Sequence, residues 1–314
     1  MEFIRPDTHI DFVGKRKLAF ALSGLMILAS LVLLLARGLN FGIDFTGGTL
    51  VEVRFNQPPA IAEVREALVP AGYGQAIIQE FGSPEEILVR VQNAAGVESS
   101  KISTDVLDAL GDKFGPEAVE MRRVEFVGPQ VGEELTQAGI MAVLISMVAI
   151  LLYVTIRFEL RFAIGANAAL LHDITIVVGV FALTGKEFTL PVVAAILTVI
   201  GYSLNDTIVV FDRIRERFAE NLKRKHPEEE DVVANDSVNQ TLSRTLMTVF
   251  TTLLVVIALF LFGGEVIHDF AFALIVGITV GTYSSIYIAS PVVLLLKGRF
   301  GPSEEEIKEL EARP

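Results

Sequence analysis

The chain has 314 residues, of which 52% are hydrophobic and 20% are charged, with a net charge of −12 at pH 7. A soluble globular protein is closer to about 25% charged, so the composition indicates an integral membrane protein, and the acidic balance argues against nucleic-acid binding. The sequence contains no cysteine, which excludes disulfides, thiolate metal sites and thiol nucleophiles. With only four scattered histidines, we predict no metal site.

The first long apolar run covers residues 18–36 and follows a basic cluster at 15–17. About 20 apolar residues are enough to cross the hydrocarbon core of a bilayer. No small-x-small cleavage pattern follows the run, so we predict a retained helix at 18–37 rather than a removed signal peptide. Residues 1–17 are then a short cytoplasmic segment.

A glycine-rich segment follows this helix at residues 40–49. Gly42, Gly47 and Gly48 allow the backbone to turn sharply, and we predict a hinge here. Asp44 is predicted to accept a hydrogen bond within the turn rather than to bind a ligand. A phosphate-binding loop is disfavoured because no lysine follows the glycine pair.

Residues 38–135 hold 16 acidic and 7 basic side chains and form a predicted domain outside the membrane. Apolar residues alternate with polar ones in four stretches, which is typical of strands, and recur at helical spacing in two others. The resulting order, βαββαβ, predicts an α+β ferredoxin-like domain. It offers no catalytic constellation, so we predict no enzymatic activity. The predicted strands are 50–55, 75–81, 87–91 and 119–127, the helices are 59–68 and 99–114, and a turn is predicted at Ser83 and Pro84.

Five further apolar runs predict a bundle of transmembrane helices within residues 136–298, which gives six spans in total. Lys and Arg are concentrated before the first span and in every second connection after it, which places both termini in the cytoplasm and residues 38–135 in the periplasm. A cytoplasmic loop is predicted at 213–243 and an acidic cytoplasmic tail at 299–314. The five runs are 139–156, 162–183, 190–211, 246–262 and 270–296.

Ionisable residues inside spans are costly and are functional candidates by default. Asp173 lies in the third span beside His172, Asp206 lies in the fourth beside Asn205, and Arg244 begins the fifth. Asp206 and Arg244 are predicted to approach each other across neighbouring helices. Two interpretations stay open: a buried ion pair that fixes helix register, or a carboxyl that takes up and releases a proton. For His172, a packing role is favoured over metal ligation.

Small residues in the sixth span, at Gly277, Gly281 and Ser285, allow close helix contact. Gly201 in the fourth span is assigned to the same packing role. The contact could lie within this chain's own bundle or with a partner subunit.

Taken together, these motifs resemble the SecD/SecF family of protein-export membrane proteins, which has the architecture of the RND superfamily. Any one motif is modest, whereas the ordered set is specific and covers nearly the whole chain. The motifs are GIDFTGG (42–48), LHD (171–173), GYSLND (201–206), VFDRIRE (210–216), QTLSRT (240–245), FGG (262–264) and GTYSSIY (281–287).

The resemblance implies that this chain is the F half of a SecD–SecF complex in the bacterial inner membrane. Such a complex associates with the SecYEG channel, and often with YajC, and uses the proton-motive force, or Na⁺ in its place, to pull exported preproteins across the membrane. It needs no cofactor other than the coupling ion. The family's essential Asp and Arg match Asp206 and Arg244, Asp173 matches its LHD motif, and a further Asp would come from SecD.

Two other functions remain as alternatives. Half of an RND-type exporter of small molecules or lipids would need a larger periplasmic region with an apolar pocket. A membrane scaffold that conducts no ions would use Asp206 and Arg244 only as a structural pair.

Overall fold

The computed structural model describes residues 9–92 and 99–296. A π-helical turn, Ser285–Ala289, joins the last two helices. In chain order the elements are α1 (Arg16–Arg37), β1 (Asn40–Phe41), α2 (Ile43–Thr46), β2 (Gly48–Phe55), α3 (Ile61–Leu68), β3 (Ile77–Phe81), β4 (Ser83–Val91), α4 (Ser99–Phe114), β5 (Val119–Val127), α5 (Pro129–Arg157), α6 (Leu160–Thr184), β6 (Glu187–Phe188), α7 (Leu190–Leu222), α8 (Glu230–Phe262), α9 (Glu265–Ser284) and α10 (Ser290–Leu295).

Six helices in the described ranges are long and apolar enough to cross a membrane, as predicted. They are α1, α5, α6, α7, α8 and the composite helix Val266–Leu295, which combines α9, the π turn and α10 and is called span 6 below. The helices α6, α7 and span 6 bury the largest share of their surface, whereas α1, α5 and α8 are mostly exposed and lie at the outside of the bundle.

The predicted βαββαβ domain is confirmed, with a four-stranded antiparallel sheet in the order β3-β4-β2-β5. Its core lies between one face of this sheet and the helices α3 and α4, because alternate residues of each strand point to the same face. The turn predicted at Ser83 and Pro84 is wrong. The chain turns one residue earlier, at Gly82 with φ 73°, and β4 already begins at Ser83.

Two predicted boundaries also differ. Helix α5 begins at Pro129, the favoured first position of a helix, so residues 129–135 belong to this helix and not to the domain. The loop predicted at 213–243 is largely helical, since α7 continues to Leu222 and α8 begins at Glu230. The predicted tail at 299–314 and residues 1–8 lie outside the described residues.

The glycine-rich segment after α1 makes defined contacts with the connection between α6 and α7. Strand β1 pairs in parallel with β6, and the Gly42 N–H donates to the Phe188 carbonyl at 2.8 Å. The Asp44 carboxylate accepts a hydrogen bond of 2.8 Å from the N–H of Leu190, the first residue of α7. The prediction that Asp44 closes a local turn is therefore wrong: it caps a helix 146 residues away. The hinge itself stays a prediction.

Gly48 occupies a position that a larger residue would strain. Its φ is +136°, and a Cβ there would lie 2.8 Å from the Val91 carbonyl oxygen. We expect Gly48→Val to destabilise the domain by about 1–3 kcal/mol. The measurement is the unfolding temperature of the purified chain in detergent, which should be lower than that of the unaltered chain. Gly128→Val is the control, since its φ is −66° and no atom lies within 4 Å of its Cβ position. Equal effects of the two substitutions would contradict the strain argument.

Span 6 is interrupted by the π turn Ser285–Ala289, which the sequence analysis missed. Pro291 lies at the start of the following helix and has no N–H to donate to the preceding turn. The Ser290 hydroxyl donates to the Ser285 carbonyl at 3.1 Å and so satisfies a carbonyl within this widened turn. Such turns are frequent at functional sites, and this one lies one turn beyond Gly281.

Candidate functional site

Helices α7 and α8 lie side by side and are joined by three polar contacts. The Tyr202 hydroxyl donates to Thr252 at 3.3 Å, Thr245 donates to Asp206 at 2.6 Å, and Arg213 donates to Gln240 at 2.6 Å. Because the partners on α8 run in the opposite order along the chain, the two helices are antiparallel. Tyr202, Asp206 and Arg213 of α7 thus lie along the α7–α8 boundary.

Asp206 is half-buried, and among the described residues only one of its oxygens is hydrogen-bonded. Oδ1 accepts the bond from Thr245, whereas Oδ2 is buried and has no hydrogen-bond partner among the described residues. Ser285 and Arg244 lie close enough to act on this carboxyl. A half-buried carboxyl with an unoccupied oxygen is a site where a proton, or a donor from another subunit, can bind.

Arg244 is exposed, and in the described ranges no ion pair within 4.0 Å joins it to Asp206. The buried register-fixing pair, one of the two interpretations of the sequence, is not formed in this chain. The reason is geometric: successive helix residues point about 100° apart, so Thr245 faces Asp206 while the neighbouring Arg244 points outward. Asn205 of α7 is also exposed.

Asp173 is fully buried and is separate from the Asp206 site. Its Oδ2 accepts hydrogen bonds of 2.8 Å from both Ser203 of α7 and Ser284 of α9, and its Oδ1 lies 3.0 Å from Nδ1 of His172. We call these four residues the Asp173 cluster. The cluster holds α6, α7 and span 6 together in the centre of the bundle.

His172 contacts Asp173 directly, which the sequence analysis did not anticipate. Its ring stacks on Tyr283 with centroids 5.9 Å apart, and its Nε2 is buried without a hydrogen-bond partner in the described part of the chain. The Tyr283 hydroxyl donates to the Ala19 carbonyl at 3.0 Å and lies 3.0 Å from the Ser23 hydroxyl. These contacts extend the polar interior from the Asp173 cluster to α1.

Two adjacent serines of span 6 lie between the two carboxyl sites. Ser284 binds Asp173, whereas Ser285 hydrogen-bonds Thr207 of α7 at 2.9 Å, one residue after Asp206. Span 6 therefore contacts both sites with consecutive side chains. No group of three or more His, Asp or Glu side chains that could hold a metal ion occurs among the residues searched, 9–92 and 99–296.

The small residues of span 6 pack within this chain's own bundle. A Cβ at Gly277 would collide with Val199 of α7, and one at Gly281 would lie 3.1 Å from Ser203. Gly277 and Gly281 thus lie against α7, and Ser285 is fully buried. The packing predicted for Gly201 is wrong within this chain, because Gly201 is exposed and its Cβ position meets no atom within 4 Å.

This difference predicts opposite outcomes for two glycines. Gly277→Val is expected to push span 6 away from α7 and to destabilise the isolated chain by about 1–3 kcal/mol, the usual cost of overpacking. Gly201→Val is expected to change the unfolding temperature in detergent very little. A large loss of stability with Gly201→Val alone would show that the packing assignment is reversed.

The hydroxyl partners of both carboxyls, Thr245, Ser203 and Ser284, are not among the residues predicted from the sequence. A signal for all three is present, since they belong to the quoted motifs QTLSRT, GYSLND and GTYSSIY. Arg90 and Glu187, which form a buried ion pair far from the two carboxyl sites, are not predicted either. Nothing in the periodicity of the sequence indicates that pair.

Comparison with known proteins places this geometry in a family. Residues 106–299 match the family model for the protein export membrane protein SecD/SecF, C-terminal, and residues 32–59 match the SecD/SecF GG motif. The chain is 55% identical over 298 residues to the protein translocase subunit SecF of Magnetococcus marinus, covering 94% of each chain. It is 52% identical to the Vibrio alginolyticus SecF over 94% of this chain and 92% of that one.

A solved structure gives the same result. The crystal structure of SecDF, a translocon-associated membrane protein from Thermus thermophilus, matches 95% of this chain with a TM-score of 0.85 and 38% identity. This chain spans 40% of the length of that SecDF chain. A second structure, of SecDF in a super-membrane-facing form, matches with a TM-score of 0.67.

Proposed function

Because this chain belongs to the SecD/SecF family of protein-export membrane proteins, in which it matches the SecF subunits, we propose that it couples an ion gradient to protein export. Protonation and deprotonation of Asp206 shift the packing of α7 against α8 and span 6, and this shift moves the α+β domain. The domain then holds or releases the preprotein that is crossing the membrane. We assign no enzymatic activity to the chain.

The observation that carries the proposal is the half-buried Asp206 carboxyl, with its Oδ2 unoccupied and the Arg244 charge nearby. A carboxyl inside a span that keeps one oxygen free of protein donors, with a cation nearby, has an acceptor at which a proton can bind and be released. Moving one charge across 100 mV supplies about 2.3 kcal/mol. That energy is enough to shift a two-state equilibrium by more than tenfold.

We infer the partners from exposed residues on both helices beside Asp206. Asn205 of α7 and Arg244 of α8 are exposed in this chain, so a SecD subunit docked over them would place its own groups near Asp206. The complex would then associate with the SecYEG channel, with or without YajC. The preprotein would be the protein that it transports. Asp173 joins the pathway indirectly, because span 6 contacts both carboxyl sites.

We place the protein in the bacterial inner membrane with both termini in the cytoplasm and the α+β domain outside. The support is the distribution of Lys and Arg, which are frequent near Arg157, Arg161 and the α7–α8 connection and sparse in the opposite loops. The coupling ion is H⁺, with Na⁺ as the second possibility, and both bind carboxylate oxygens.

Export into vesicles tests the proposal. Vesicles holding SecYEG, SecD and this chain are compared with vesicles lacking the chain, under an imposed proton gradient, an imposed Na⁺ gradient or none. We expect a gradient-dependent stage of export only where the chain is present, and the effective gradient identifies the ion. If export requires the chain but does not depend on a gradient, the chain acts as a membrane scaffold instead.

A further inference from the structure

The α+β domain is joined to the bundle by a buried ion pair between strand β4 and the connection that precedes α7. Arg90 Nη2 lies 2.5 Å from Glu187 Oε1, and the two side chains are 5% and 14% exposed. From this pair, and on the basis of the proposed function, we propose that Arg90 and Glu187 are positioning residues. They make the α+β domain and the start of α7 one rigid body, so that a displacement of α7 moves the domain directly.

We call the contact between β4, β1 and β6 the joint. The first support is that Arg90 is its central hydrogen-bond donor. Its Nη1 donates to the Phe41 carbonyl at 2.6 Å and lies 3.4 Å from the Asn40 side-chain oxygen. Arg90 thus binds both strand β1 and the β6 residue Glu187. One guanidinium fixes three segments of the chain: β4 of the domain, β1 after the first span and β6 before α7.

The second support is electrostatic. Burial raises the pKa of Glu187 above its ordinary value, the Arg90 charge opposes that rise, and the carboxylates of Asp269, Asp44 and Glu125 add to it. Arg90 is the cation that compensates this buried acidic group. Without it, the carboxyl would be desolvated among like charges, and the joint would open or take up a proton.

The third support is continuity with α7. The next residue, Phe188, accepts the Gly42 N–H through its carbonyl, and two residues further Leu190 donates to Asp44 at the first turn of α7. Asp206 lies on the same helix, about 24 Å further along at 1.5 Å per residue. An unbroken helix therefore connects the proposed protonation site to the joint.

Aromatic packing closes the same joint from the bundle side. The rings of Phe41 and Phe45 lie 5.9 and 6.0 Å from the ring of Phe188, which also contacts Phe181 of α6 at 5.9 Å. Together with the ion pair, these ring contacts hold β1 against β6. In this proposal Gly42 does not act as a hinge, because its backbone is part of the rigid joint.

Distance measurements test the rigid body. The chain contains no cysteine, so spin labels can be attached at Lys101→Cys on α4 and Ala194→Cys on α7, both exposed positions. In the complete complex we expect one narrow distance, unchanged by Asp206→Asn, and a broad distribution with Arg90→Met. The control is Lys113→Met, which breaks the exposed Lys113–Glu66 pair of the same domain and should leave the distance narrow. A narrow distance in Arg90→Met would overturn the proposal.

A disulfide supplies the functional test. Phe41 and Phe188 are register partners in the β1–β6 pairing, so Phe41→Cys with Phe188→Cys can close the joint covalently. We expect the oxidised joint to support gradient-dependent export, and to restore that export in Arg90→Met, where it is otherwise lost. Loss of export on oxidation that returns on reduction would mean that the joint must open, which overturns the proposal.

The two experiments separate this proposal from the proposed function. If the unaltered complex shows no gradient-dependent export, the proposed function fails while the spin-label distances still decide whether the joint is rigid. If gradient-dependent export is present and unaffected by Arg90→Met, the positioning role fails and the proposed function stands.

Discussion

Asp206→Asn is expected to abolish the gradient-dependent stage of export and to leave export in the absence of a gradient unchanged. Asparagine keeps an oxygen that can accept the bond from Thr245, so the α7–α8 contact at 2.6 Å should persist. It cannot take up and release a proton, so the transition that the gradient drives is lost. The measurement is reporter export into vesicles with and without an imposed gradient, with SecD association checked by co-purification.

The matched control is Asp212→Asn on the same helix. Asp212 is exposed and lies 3.6 and 3.7 Å from Arg157 and Arg215, a surface arrangement of small energetic value. We expect normal gradient-dependent export from this control. If Asp206→Asn exports as well as the control does, Asp206 is not the protonation site.

Asp173→Leu is expected to cause the largest loss of stability of any single substitution considered for the bundle. The hydroxyls of Ser203 and Ser284 and the Nδ1 of His172 would lose the buried acceptor that they share. Each buried polar group without a partner costs about 1–3 kcal/mol, so the isolated chain should unfold at a markedly lower temperature in detergent. Asp173→Asn keeps an acceptor oxygen and should cost less.

The control for this prediction is Asn205→Leu, which removes a polar side chain of α7 that is exposed. It should leave the unfolding temperature of the isolated chain unchanged. An equal loss of stability in Asp173→Leu and Asn205→Leu would mean that the Asp173 cluster does not hold the three helices together. The Ser284 hydroxyl also lies 3.0 Å from the Gly281 carbonyl of its own helix, and such an outcome would indicate that backbone acceptors can replace the Asp173 carboxylate.

The parts of this fold that the sequence predicts well are those governed by local periodicity. The sheet alternation of β2 and the helical spacing of α4 each reflect burial against a single neighbouring layer, which a short stretch of sequence records. The bounds of α4 and β5 agree with the prediction for that reason. The six spans follow from length and apolarity alone.

The contacts that the sequence did not predict join distant segments. Asp44 caps α7 over a separation of 146 residues, and Arg90 reaches Glu187 over 97. Neither contact produces a periodic pattern in the sequence, because each depends on how distant helices and strands pack together in the folded chain. At Asp206 the sequence identified the charged neighbour Arg244, whereas the structure places the adjacent hydroxyl of Thr245 toward the carboxyl. Because consecutive residues of α8 point about 100° apart, only one of Arg244 and Thr245 can face the Asp206 carboxyl.

The joint around Arg90 and Glu187 also bears on how genes of this family can be arranged. Every contact described in it, from β4 to the first turn of α7, lies within this one chain. The solved SecDF protein is a single polypeptide of which this chain spans 40%. A break in the polypeptide between the SecD and SecF portions would interrupt none of these contacts. A fused gene and a pair of separate genes can therefore encode the same connection between the α+β domain and the bundle. Exchanging the F portion as a cassette between fused and split versions should preserve that connection intact.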